Sequence, residues 1–79
     1  LRVTGAIIST AIREVERALL GELELSALLN SLGKHIEWLE ELNYRIGALM
    51  LREFVRAVEE GGLSERVLRL SGVKLLVVL

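Results

Sequence analysis

Apolar residues recur along most of this chain at three- and four-residue steps, the spacing of one helix face. Ile8, Ala11, Ile12, Val15, Ala18 and Leu19 form the first such stripe and predict a helix over about residues 5–20. Thr4 stands before it as an acceptable N-cap, its hydroxyl placed to accept from an orphan amide of the first turn. Gly21 is the expected stop, because glycine enters the left-handed conformation without penalty. Arg13, Glu14, Glu16 and Arg17 fall mostly off the stripe, with Glu14 and Arg17 as helical neighbours.

Residues 22–25, Glu-Leu-Glu-Leu, alternate as a strand does but are too few to carry a sheet, so they read as a connector. Ser26 is a candidate cap for the next helix. From there to Glu60 no proline occurs and the apolar spacing stays helical. One seam holds Leu25, Leu28, Leu32, His35, Leu39, Leu42, Ile46 and Leu49, and a neighbouring line adds Leu29, Ile36, Met50, Phe54, Ala57 and Val58. Leu25, Leu32, Leu39 and Ile46 stand seven apart, the heptad of a left-handed coiled coil. The pattern predicts one long central helix over about 23–60, ~57 Å long at 1.5 Å per residue. A first helix of ~24 Å on the same rise is too short to cover it. Either the long helix breaks, with Gly33 and the stretch from Asn43 to Gly47 as candidates, or another chain covers part of its face.

Gly61-Gly62 ends that helix, and Ser64 caps a short third helix over about 64–70. Ser71-Gly72 reads as a turn. The closing Val-Lys-Leu-Leu-Val-Val-Leu is rich in β-branched residues and reads as a strand, with an apolar tail continuing the third helix as the alternative. The fold class expected is therefore all-α: a small single-domain helical bundle spanning 1–79.

At 79 residues and net charge −1, the chain has room for one small domain and lacks the basic excess of a nucleic-acid coat or an anionic-membrane binder. Its folded surface is expected at roughly 4,800 Å². Hydrophobic residues make up 52%, yet no uncharged apolar run reaches the 18 residues of a membrane span. The first ten residues are too short and too weakly basic for a signal peptide, and a chain beginning at Leu1 reads as processed, excised or synthetic. All eleven acids are glutamate, and the absence of Gln and Cys is a composition that heat-adapted proteins, and designed ones, share.

Little catalytic chemistry is on offer. Without cysteine there is no thiolate nucleophile, disulfide or zinc ribbon, and the glycines form neither a dinucleotide fingerprint nor a phosphate loop. The single histidine, His35, lies in the apolar seam with Glu37, Glu40 and Glu41 nearby in sequence, and reads as a seam histidine bonded to a carbonyl or to a neighbouring glutamate. A metal would need a second copy's histidine at a symmetric contact. Glu40-Glu41 and Glu59-Glu60 are adjacent on a helix, point about 100° apart and do not converge. Glu41 and Arg45 read as an i, i+4 ion pair. No catalytic, cofactor or metal site is predicted, and the chain is not read as an enzyme.

Residues 54–70, FVRAVEEGGLSERVLRL, resemble the helix-turn-helix of DNA-binding proteins. Val58, Gly62, Val67 and Leu70 fall at the spacing of a tight turn between two packed helices, with Val58 in place of the usual small residue and Gly61 extra. The resemblance implies a recognition helix over 64–70 that turns Glu65, Arg66 and Arg69 toward a major groove. The leading expectation is different. The uncovered leucine seam predicts a structural or interaction protein that self-associates as a protomer of a homo-oligomer, filament or shell, or that pairs with another helical protein. Leu25, Leu32, Leu39 and Ile46 would be the interface knobs, and Trp38 and Tyr44 its amphipathic anchors.

Overall fold

The stretch read as one long helix folds back on itself at Asn43. A computed structural model describes residues 2–61 and 64–78, and within them the chain is four helices with no strand. These are α1 (Arg2–Leu19), α2 (Leu25–Glu41), α3 (Arg45–Gly61) and α4 (Glu65–Val78).

Two helix ends use the same device. After α2, the Asn43 amide donates to Glu40 O at 3.0 Å and the Tyr44 amide to Leu39 O at 2.8 Å, with Asn43 left-handed at φ 61°. After α1, the Gly21 amide donates to Ala18 O at 3.1 Å and the Glu22 amide to Arg17 O at 2.8 Å, with Gly21 at φ 76°. Both are Schellman motifs, which satisfy the last carbonyls of a helix and turn the chain sharply. Glycine enters this conformation freely; asparagine is among the few other residues that tolerate it.

Several sequence expectations change here. The stretch of 23–60 is two helices: of the two candidate breaks, the one from Asn43 to Gly47 holds the turn, and Gly33 sits inside α2 without breaking it. α1 begins at Arg2, so Thr4 lies within its first turn, nearly buried, and does not cap it. The last segment is helical through Val78, because Leu75 is needed in the core, where it is 1% exposed. Ser26 likewise lies inside the first turn of α2, whose N-cap is Glu24 in extended conformation. The turn after Gly61 lies outside the described residues.

Each helix packs on two others: α1 on α2 and α4, α3 on α2 and α4. Glu14 of α1 reaches Ser31 and His35 of α2, whereas Ala6 and Ile7 share a groove with Trp38, so the first pair is antiparallel. Arg52 bonds Glu40 across α2 and α3, and α4 runs back along α3 to place Leu75 beside Met50 and Phe54. The result is an up-down-up-down bundle measuring 30 × 21 × 20 Å.

One core unites all four helices: Ile8, Ala11 and Val15 from α1, Leu28, Leu32 and Leu39 from α2, Leu51 and Phe54 from α3, Leu75 from α4. Burying a side chain of this size contributes about 1.5–3 kcal/mol. Gly47 allows a close approach: a Cβ there would stand 2.9 Å from the Tyr44 ring and 3.1 Å from Ile8 Cδ1. Ile8 thus reaches diagonally across the bundle to the first turn of α3.

Candidate functional site

Two features of the α1–α2 face adjoin one another: a polar cluster and an apolar groove. In the cluster, Ser31 Oγ donates to Glu14 Oε2 at 2.6 Å, and His35 Nε2 lies 2.8 Å from Glu14 Oε1. Ser31 Oγ and His35 Nε2 are 3.3 Å apart. A carboxylate only accepts, so Nε2–H donates to it. The Glu14 and His35 side chains are mostly buried, and no buried side-chain polar atom among the described residues lacks a partner. Ser31 and His35 stand four apart on α2 and therefore share the face that meets Glu14.

The residue types are those of a hydrolytic triad, but the connectivity is not. In a triad the serine and the acid occupy opposite nitrogens of the imidazole. Here both meet Nε2. Ser31 also lies in the interior of α2, where backbone N–H groups are committed to helix carbonyls and cannot turn to an oxyanion. The cluster's chemistry is that of a clamp between two helices. Glu14 was legible as unusual, because Ile7, Ala11, Glu14 and Ala18 share one helical line, on which it is the polar member. The expected partner of His35 was a glutamate near it in sequence; the one it meets, Glu14, stands on α1.

Beside the clamp, Val3, Ala6, Ile7, Thr10, His35 and Trp38 line an open groove of about 410 Å³. A second apolar groove, between α1 and α4, holds Ile12, Leu19, Val73 and Leu76, with Glu16 and Arg69 at its edge. Among the described residues no group of three or more His, Cys, Asp or Glu converges as a metal site, and no helix is long and apolar enough to cross a membrane.

The structure divides the predicted seam. Leu32 and Leu39 are fully buried within the chain's own core, so these knobs lock into the same molecule and present nothing to a partner. Leu25 and Tyr44 are partly buried against that core. Trp38 and Ile46 stay outside, at 60% and 63% exposure. The break at Asn43 is the cause: it turns α3 back over α2, covers the seam up to Leu39 and leaves Ile46 on an outer face. It also places Glu41 and Arg45 on different helices, which removes their i, i+4 relationship. Arg66 and Arg69 are exposed on α4, which extends well past the 64–70 of a recognition helix; the predicted turn at Gly62 and Leu63 lies outside the described residues.

Compared with known protein families, curated proteins and solved structures, the chain matches none.

Proposed function

We propose that this protein acts by self-association, as a structural or interaction protomer whose contact surface is the apolar end of the bundle. Antiparallel packing brings together the N-termini of α1 and α3 and the C-termini of α2 and α4. Among the side chains whose exposure the structure describes, which leave out Val67, Leu68, Leu70 and Val78 of α4, the exposed large hydrophobics other than Leu20 lie within two turns of that end: Val3, Trp38, Leu42, Ile46, Leu49, Val73, Leu76 and Val77. Scattered exposed hydrophobics need no explanation, whereas a concentration at one end marks an interaction surface. That concentration carries the reading.

The accessible surface agrees with it in sign: 5301 Å² exceeds the roughly 4,800 Å² expected of a monomer of this mass. Sedimentation equilibrium from about 1 to 200 µM tests the proposal. The mass is expected to rise with concentration to a discrete multiple of 8.8 kDa. A helical chain that stays at one protomer mass over the whole range overturns it.

A further inference from the structure

We propose that the α1–α2 groove is a two-fold contact surface for a second copy of this chain, with Trp38 of each copy seated in the groove of the other. The inference rests on the self-association reading and narrows it to one face and one partner.

A two-fold contact uses the same patch on both molecules, so knob and hole must lie side by side on one surface. Trp38 supplies the knob, 60% exposed at the groove's edge, and tryptophan is the residue type most enriched at the centre of such contacts. Val3, Ala6 and Ile7 supply apolar walls. A buried indole also needs an acceptor for its N–H. Thr10, which lines the groove, donates its hydroxyl to Ala6 O at 2.9 Å and keeps lone-pair capacity on Oγ1 beyond its contact with Arg13.

The surrounding charges complement themselves. On α2, Lys34 lies one turn before Trp38 and Glu41 nearly one turn after it, both exposed on the same side of the helix. When two α2 helices meet antiparallel about a centre near residue 38, Lys34 of each copy comes opposite Glu41 of the other. Opposite charges at mirrored positions fit a copy of the same surface and set its register. The clamp beneath contributes by holding His35, a wall of the groove, to Glu14 and Ser31, so the site is formed before the partner arrives. The α1–α4 groove lacks an aromatic knob, and its edge charges, Glu16 and Arg69, flank one groove within a single copy.

Trp38 is the only tryptophan, so its emission reports its own burial. On concentrating the full chain, the emission is expected to move to shorter wavelength in step with the mass. Trp38→Ala, at a site exposed in the protomer, is expected to keep the far-UV helical signal and to weaken association at least tenfold. Lys34→Glu weakens it several-fold, and adding Glu41→Lys restores it. An oligomer whose Trp38 emission does not change with concentration, or whose constant is unmoved by Trp38→Ala and by the charge exchange, assembles through another face; that overturns this inference and leaves self-association standing. A wild-type chain that never associates overturns both.

Discussion

Glu14 and His35 meet at 2.8 Å across the first pair of antiparallel helices, although 21 residues of chain separate them. With Ser31 on the same carboxylate, this forms a polar tie between α1 and α2. Charge-assisted hydrogen bonds of this kind contribute about 1.5–3 kcal/mol when well shielded, and the remaining exposure here lowers that. Glu14→Ala is expected to cost about 1–2 kcal/mol in urea unfolding. A double-mutant cycle with His35→Ala should return a coupling near 1 kcal/mol. Additive losses would mean that the two side chains act independently.

Gly33 of α2 and Gly47 of α3 should respond in opposite directions to alanine. At Gly33 an added Cβ meets nothing within 4 Å, so Gly33→Ala gains helix propensity and stabilises by about 0.5–1 kcal/mol. At Gly47 the same methyl meets the Tyr44 ring at 2.9 Å, and the resulting displacement should outweigh the gain. Thermal midpoints of the two variants, recorded side by side, give the signs directly; a rise in both would mean that Tyr44 moves aside without cost.

Asn43 holds a backbone conformation that alanine disfavours by about 1–2 kcal/mol. Asn43→Ala should therefore destabilise the bundle by roughly that amount, while Asn43→Gly should leave it unchanged or slightly more stable. Equal stability of the alanine and glycine variants would show that the left-handed residue is not what sets the turn.

Leu39 and Ile46 belong to one heptad in the sequence and to different environments in the fold. Leu39→Ala, at a fully buried site, is expected to cost about 2–5 kcal/mol. Ile46→Ala, at a mostly exposed one, should stay within about 0.5 kcal/mol when measured well below any association range. Comparable losses at both positions would contradict the division of the seam.

The helical class, the stop at Gly21 and the apolar stripe of α1 were readable because each depends on neighbours three to five residues away. The end of α2 was not fixed by the same means. Periodicity continues across residues 42–44, and asparagine signals a left-handed stop less strongly than glycine does. Asn43 to Gly47 was one of two candidate breaks, and without a choice between a break and a covering chain Leu32 and Leu39 looked uncovered and Glu41 looked paired with Arg45. The valines at the end of the chain favour a strand locally, but the core position filled by Leu75 decides for a helix. The clamp escaped for a further reason: the approach of Glu14 to His35 is created by the packing of α1 on α2, and spacing within one helix does not report it.

The three residues between α2 and α3 have a consequence for the whole molecule. Were residues 42–44 all to adopt helical dihedrals, α2 and α3 would merge into a rod of about 55 Å, and α3 and α4 would be carried away from their own α1. The surface they abandoned would then suit the same two helices from a neighbouring molecule, so the backbone angles of three residues stand between a closed protomer and an exchanged pair.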